Sequence, residues 1–544
     1  MAYIFKKEIN GRTCWYLGEN KKINGVSHRV WQRYLGNSQT IKERFAANMR
    51  GVDLDFLDFG IVTAPLSVSN ELKFVEIIDK IIKKREQGLS YGEHMLLSII
   101  NRIDAPSSKN KFSDWFNDTV LKRKFAIKSA YLSSQDFWNH WNKIDEDEIN
   151  KIQEKLIENL LPKVDIKELI YDPTNFTTYI EEHKNQKIMQ FGHSKDGRKL
   201  RQVNLSLLIT KKEGIPLWHD TYEGNINDVT EFKKFIKTLT ERISLFSKKC
   251  KKITLVFDKG NDSKNNIKNV NKKLSFFIVG SLKPSEHREL FNIPLEDFKD
   301  ECETSEGKSV FLTSKLMDIY GGKKKVVITY SNELAYKNKI RVDKALSKAL
   351  YQLKNIQGRI KDSKWTRDEL LIKVSKIADK PWIKGLIDYE IKDERKLSLA
   401  FKENYEIYEE TRKSFGKNIL FTDDLSLTSK DIVKIYSSKN IIEEQFKTLK
   451  NPYVISFTPM WCWTDKMIRV HAFTCVMVLL FLRIMVKKVK ESGLNLSQEQ
   501  ILEQLKKIKL ALTFMSDSSV NYRLTRLNDI QRKLVDIFNL KEFV

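Results

Sequence analysis

A mixed α/β chain is predicted by three observations. Between about 164 and 280, strand-length apolar runs alternate with a longer amphipathic stretch, the pattern of a sheet crossed by helices. Apolar residues make up 41% and charged residues 31%, so the chain can bury cores and is not disordered by composition. Its 544 residues are enough for several domains of roughly 100–200 residues each.

The elements follow in order. Tyr3-Ile4-Phe5 and the runs 13–17 and 26–31 are β-rich, and Asn10-Gly11, Glu19-Asn20 and Asn24-Gly25 punctuate them as turns. This predicts a small basic sheet over 1–48. Over 49–160 the period becomes helical: Leu72, Val75, Ile78, Ile81 and Ile82 repeat at threes and fours, and further helices are expected over 92–103 and 146–161. Trp115, Trp138 and Trp141 read as core there. From 164 the order is strand (168–172), strand (202–210), strand (215–223), helix (228–247), strand (253–257) and, after a further helix, strand (274–279). Phe232, Phe235, Ile236 and Leu239 line one side of the first of these helices. Charged, mixed material over 300–425 interrupts the pattern as an insertion, with a helix near 344–360 and strand-like runs at 385–389, 397–401 and 417–421. Thr428 with Asp431 is a capping box, and one helix is expected to run from it to about Lys450, before Pro452. An apolar helix follows over 469–487, and Ser497 with Gln500 caps a last one. The domains expected are 1–48, 49–160, 161–299, 300–425 (the insertion), 426–490, and 491–544, a C-terminal helical region.

Charge narrows the function. Lys plus Arg number 96 and Asp plus Glu 71, a net +25, and the pI is near 9.5; such an excess points to a polyanion, most commonly nucleic acid. Five scattered Cys with no CxxC pair exclude a disulfide scaffold and a zinc ribbon. The start MAYIFKKEING lacks a signal-type apolar stretch, and the longest uncharged apolar run, 472–482, is too short to span a bilayer. No membrane partner and a cytoplasmic, reducing location are expected.

Three carboxylates stand out. Asp172 follows Leu169-Ile170-Tyr171, and Asp258 follows Leu255-Val256-Phe257. A carboxylate at the end of a buried strand is rigid and faces an open edge, which suits a metal ligand; it also suits the start of an ordinary turn. The third is Glu443. On one continuous helix Tyr436, Lys439, Glu443 and Lys450 fall at about 0°, 300°, 340° and 320°, a single stripe beside the apolar Ile435, Ile442, Phe446 and Leu449. Glu444 is turned about 100° away. Lys439 and Glu443 also form a plain i,i+4 surface pair, worth about 0.2–0.5 kcal/mol.

These residues resemble a known family. Tyr436-x2-Lys439-x3-Glu443-x6-Lys450 is similar to the Tyr-(2)-Arg-(3)-Glu-(6)-Lys signature of bacterial and archaeal insertion-sequence DDE transposases, with Lys439 where the family has Arg. The stretch 169–176 (LIYDPTNF) resembles the first-Asp strand of that family, and 255–260 (LVFDKG) the second. Gly192-His-Ser-Lys-Asp-Gly-Arg198 with Gln202, Gly214-Ile-Pro-Leu217 with Gly224-Asn225-x-x-Asp228, and Trp463-Thr-Asp465 with Ile468, Arg469 and His471 extend the likeness over about 160–490.

The resemblance implies a ribonuclease-H-like catalytic core with an inserted mixed α/β domain before the last catalytic helix, behind N-terminal β-rich and helical DNA-binding regions. The 185 positions from Asp258 to Glu443, against 86 from Asp172 to Asp258, leave room for that insertion. It implies that Asp172, Asp258 and Glu443 hold two Mg²⁺ ions, Mn²⁺ being a substitute, and that Tyr436, Lys439 and Lys450 hold phosphates. Replacing Arg by Lys at 439 keeps the charge but loses the bidentate fork. His193, in a basic turn with Lys195 and Arg198, reads as a phosphate contact; His219 and His471 read as structural, and Cys462 and Cys475 as core. The implied activity is Mg-dependent cleavage at transposon ends followed by strand transfer, the implied partners being terminal inverted repeats and target DNA held by a homodimer in a prokaryotic nucleoid. A related nuclease that cuts without joining, and a non-catalytic DNA-binding derivative, are the alternatives.

Overall fold

The computed structural model describes the whole chain apart from residues 1, 10, 24–25, 50–52, 84–87, 128–131, 182–185, 193–199, 242–245, 247–249, 251, 259–265, 268–269, 271–275, 283–285, 394–395 and 515–518. It divides into two units. One gathers Met1–Glu71, Arg85–Trp138 and Met485–Val544; the other holds Leu72–Lys84 and Asn139–Ile484.

In the first unit Ala2–Ile9, Arg12–Ile23 and Val26–Asn37 pair as an antiparallel meander. The C-terminal region is not wholly helical, contrary to expectation. Lys509–Phe514 pairs with Val520–Leu524 on one side and with Asp53–Asp58 on the other. The reason is a short period-two run: Leu510 and Leu512 are buried on one face, a pattern only three strands together can use.

The second unit is built on ten strands: β1 (Glu168–Thr178), β2 (Gln190–Phe191), β3 (Arg201–Thr210), β4 (Pro216–Glu223), β5 (Thr254–Val256), β6 (Phe277–Ser281), β7 (Asp300–Glu303), β8 (Ser309–Ile319), β9 (Gly322–Tyr330) and β10 (Lys417–Thr422). Their order is β7-β8-β9-β10-β6-β5-β1-β3-β2, with β4 also on β3. β1, β3 and β4 are antiparallel, while β5 and β6 join parallel to β1. A parallel step needs a crossover. Helix α1 (Asp228–Glu241) lies on the path from β4 to β5 and buries Phe232, Phe235, Ile236 and Leu239. Strands covered on both faces must be apolar throughout, as Leu255, Val256, Ile278 and Val279 are.

Side-chain alternation assigns the two faces. The Tyr171 ring lies 4.2 Å from Phe235 and 5.1 Å from Phe232, and Phe257 lies 5.0 Å from Phe232, so these residues face α1. Period two then turns Asp172 and Asp258 to the opposite face. There pack α2 (Ser429–Ser437), α3 (Asn440–Lys450) and α4 (Asp465–Glu491): Phe176 stacks on Phe457 at 3.7 Å, just beyond α3, and His219 on Phe473 of α4 at 5.9 Å. By length and composition α4 could cross a bilayer, but 89% of its apolar window is buried inside the protein.

Two expected boundaries move. The span 300–425 is not one separate insertion: β10 pairs with both β6 and β9, so β7–β10 extend the main sheet and cover an edge that β6 would otherwise expose. A distinct core, with Val342, Leu346, Leu353, Leu370, Val374 and Ile383, occurs between β9 and β10. The helix Glu146–Leu160, expected with the N-terminal helices, belongs to the second unit. Its Gln153 accepts from the His219 amide at 2.9 Å and donates to the His219 carbonyl at 3.3 Å.

Candidate active site

The register of β1 against β5 positions the first two carboxylates. Glu168, Leu169 and Ile170 stand opposite Thr254, Leu255 and Val256. Continuing that offset past the end of β5 directs Asp258 toward the level of Asp172, and the charges of both act on Lys439. Asp172 is not at the end of its strand, as the sequence suggested. β1 continues to Thr178 against β3, while β5 ends at Val256, so only the side of β1 that faces β5 opens at this level. The carboxylate thus keeps a rigid strand backbone and gains a free edge.

The third segment differs more. Thr428 caps α2, accepting from the Asp431 amide at 3.1 Å, as its motif requires. The helix does not run on to Lys450: α2 stops at Ser437 and α3 starts at Asn440. Ser437 Oγ donates to the Lys434 carbonyl at 3.2 Å and Ser438 Oγ to the Ile435 carbonyl at 2.6 Å. These side chains compete for helix carbonyls, and the junction tightens into i→i+3 bonds, Lys439 to Tyr436 at 3.1 Å and Ile442 to Lys439 at 3.1 Å. The single-stripe geometry therefore does not hold. What brings Tyr436 and Lys439 together is a shared target: the Tyr436 hydroxyl donates to Asp258 Oδ1 at 2.9 Å, and Lys439 Nζ to Asp258 Oδ2 at 2.8 Å.

Electrostatics follow from this contact. Burial, then the Asp258 charge, pushes the Tyr436 phenol above its ordinary range, so it remains a donor. Burial opposes the charge on Lys439, but Tyr436, Asp258 and Asp172 outweigh it and hold the ammonium above the usual lysine range.

Glu443 stands in the first turn of α3, exposed, where a carboxylate also complements the helix dipole. A cleft of about 270 Å³ is lined by Tyr436, Lys439, Asn440 and Glu443 on one side and by Glu306 and Lys308 on the other. Glu444 points elsewhere, its charge acting on the buried Arg483. Lys450 reaches back to β1, its ammonium 5.4 Å over the Phe176 ring. Glu306 and Lys308 were not expected here. They lie in the tight turn between β7 and β8, anchored by Asn440 Nδ2 donating to Glu306 Oε1 at 2.9 Å, and no periodicity marks them. His193, Lys195 and Arg198 lie outside the described residues. The His219 ring is buried and brought down to about 4 by burial, and His471 Nε2 lies 2.7 Å from the Phe457 carbonyl; both are structural.

The glycines of the neighbouring motifs have a steric cause. A Cβ on Gly192 would lie 1.9 Å from the Gly224 carbonyl, and one on Gly224 2.1 Å from that of Gln202. Gln202 Nε2 donates to the Gly224 carbonyl at 2.8 Å, and its Oε1 accepts from Asn175 at 3.0 Å, tying this close approach to β1.

Among the described residues no three His, Cys, Asp or Glu side chains are gathered tightly enough to hold a metal ion. The donor chemistry nevertheless fits a hard divalent cation: two carboxylates, Asp172 and Asp258, whose charges converge on one cation that is seated on Asp258.

Residues 165–457, more than half of the chain, match the family described as "Transposase DDE domain". No curated protein gives a match. Among solved structures, the cryo-EM structure of a piggyBac transposase synaptic complex with hairpin DNA aligns over 81% of this chain and 79% of that one, at 10% identity and a TM-score of 0.39. The mixed sheet described above fits a ribonuclease-H-like core, and transposases of this family use divalent metal ions. The matched span includes β1, β5, α2 and α3, and the chain belongs to the DDE transposases.

Proposed function

We propose that this protein is a cut-and-paste DNA transposase of insertion-sequence type, cleaving at the ends of its element and joining them to target DNA. The observation that supports the reading is the seating of Tyr436 and Lys439 on Asp258, just past the end of the strand that pairs with β1, beside a cleft that presents Glu443. These three carboxylates are the ligands we assign to two Mg²⁺ ions, with Mn²⁺ as a substitute. Such ions, when bound, activate the attacking oxygen and stabilise the leaving one.

The chain's own groups do the rest. The Tyr436 hydroxyl and the Lys439 and Lys450 ammonium groups hold phosphates flanking the scissile bond. Lys439 is a point charge without a fork, so it fixes charge more than orientation. His193, Lys195 and Arg198 contribute further phosphate contacts. Residues 1–160 recognise the terminal inverted repeats, since a phosphate-reading core carries little sequence information. The protein acts as a homodimer on two DNA ends in a prokaryotic nucleoid.

The test uses the inverted repeats flanking the reading frame. Full-length protein, Mg²⁺ and a labelled duplex end should give cleavage, and pre-cut ends should be joined to a target plasmid. Cutting without joining would make the protein a nuclease; binding with neither would make it a non-catalytic derivative.

A further inference from the structure

We propose that Lys439 is a placeholder for the catalytic cation: in the DNA-free protein its ammonium occupies Asp258 and keeps a divalent ion off that carboxylate until a phosphate draws the amine away. The inference rests on the assignment of Asp258 as a metal ligand and adds a gate to it. Both oxygens of Asp258 are engaged, Oδ1 by the Tyr436 hydroxyl at 2.9 Å and Oδ2 by Lys439 Nζ at 2.8 Å. A metal ligated by this carboxylate needs the same lone pairs, and two cations crowded on one carboxylate repel. The bond can yield. Lys439 stands in the break between α2 and α3, and its side chain is 26% exposed. Its neighbour Ser438 is likewise outside both helices. The amine also has somewhere to go, because the cleft it lines with Lys308 and Glu443 is open to an incoming phosphate.

The residue type matters. Arg would grip a carboxylate through two parallel N–H bonds, whereas Lys makes one point contact on a flexible stem. Lys at 439 therefore gives a block that is charged but readily exchanged. It links metal loading to DNA arrival, so the unbound protein would carry a poorly loaded site and cut little on its own.

The experiment titrates Mn²⁺ alone into full-length, DNA-free protein and reads free Mn²⁺ by EPR. Lys439→Met should bind Mn²⁺ about tenfold or more tightly than wild type, the scale of removing one charge-assisted competitor. Lys439→Arg should bind no more tightly than wild type. Lys434→Met, at an exposed lysine of α2, controls for the loss of a surface charge and should shift affinity by less than about threefold. Lys439→Gln, which keeps an N–H donor and loses the charge, should gain affinity too and serves if the Met variant does not fold. A gain for Lys439→Met and Lys439→Gln no larger than that of Lys434→Met overturns the gate. Asp258→Asn added to Lys439→Met separates the two ideas. If the Lys439 variants match wild type while Asp258→Asn lowers Mn²⁺ binding, the gate fails and the metal site stands; if the double variant binds Mn²⁺ as tightly as Lys439→Met alone, the metal-site assignment fails.

Discussion

The two faces of the central sheet carry carboxylates under opposite conditions. Toward α1, Glu231 is 1% exposed among Tyr171, Tyr222, Ser206 and Asp220, and burial with the Asp220 charge pushes its carboxyl up to about 8. The nearest cation, Lys234, makes its ion pair with Asp220 at 2.8 Å. Toward α2 and α3, Asp258 is partly exposed and meets an ammonium and a phenol directly. The two acids stand on opposite faces of one sheet, Glu231 on α1 and Asp258 just past the end of β5. What differs is whether a cation and an opening accompany the acid. A sealed carboxyl without its own cation takes up a proton and becomes part of the scaffold. One held at an open edge beside a cation is paired with it directly.

The sharpest way to break this contrast is to neutralise acids on the open face. Asp172→Asn, Asp258→Asn and Glu443→Gln should each lower Mg²⁺-dependent cleavage by roughly 10²–10³-fold or more, the scale of losing one preorganised charge-stabilising group. Fold and DNA binding should persist, because the replacements are nearly isosteric and Glu443 is exposed. Glu444→Gln should stay close to wild type in cleavage, as its charge faces Arg483 and not the cleft. Labelled-end cleavage with the four variants side by side checks this. A Glu444 variant that failed while the Glu443 variant cut normally would move the site by one helix position.

The closed face should respond in stability. The Glu231 carboxyl titrates near 8 in the folded protein against an ordinary 4.5, so below about pH 4.5 both states are protonated and nothing is lost. As pH rises from there to about 8, the unfolded state gives up its proton first, and stability falls by something on the order of 5 kcal/mol before levelling. Glu231→Gln should remove that slope, so that urea midpoints at pH 5 and pH 9 lie closer together than in wild type. Equal slopes in both proteins would mean that Glu231 is ionised in place.

Much of this was legible in the sequence because it depends on local period. Strand and helix alternation located β1, β3, β4, β5 and α1, and the spacing around Tyr436 picked out two residues that meet at Asp258, Tyr436 and Lys439. What the sequence withheld depends on distant partners. The register that directs Asp258 toward the level of Asp172 is set by pairing between segments 86 positions apart, and nothing near either residue encodes it. The joining of β10 to β6 answers an edge that exists only once the sheet has formed. The break at Ser438-Lys439 is a close contest between helix bonds and the side chains of Ser437 and Ser438, and the residues on its two sides, Tyr436 and Lys439, both bond Asp258. Lys308 reaches the cleft through a turn between two strands, the kind of placement that composition cannot reveal.

The smallest expected effect tests whether the open face also depends on its cations for folding. Lys450 lies 5.4 Å over Phe176, which is stacked on Phe457 at 3.7 Å, so a structural role is available to it as well as a phosphate-binding one. A partly exposed cation–π contact of this kind is worth about 0.5–1 kcal/mol. Lys450→Met keeps most of the stem that packs on the ring and drops the charge. Its melting temperature should therefore change little. Its affinity for duplex ends should fall, and the slope of log affinity against log salt should become shallower by about one. Equilibrium binding from about 50 to 200 mM salt measures both quantities at once. An unchanged slope with a clearly lower melting temperature would make Lys450 a packing residue and place the phosphate contacts of the open face on Tyr436 and Lys439 alone.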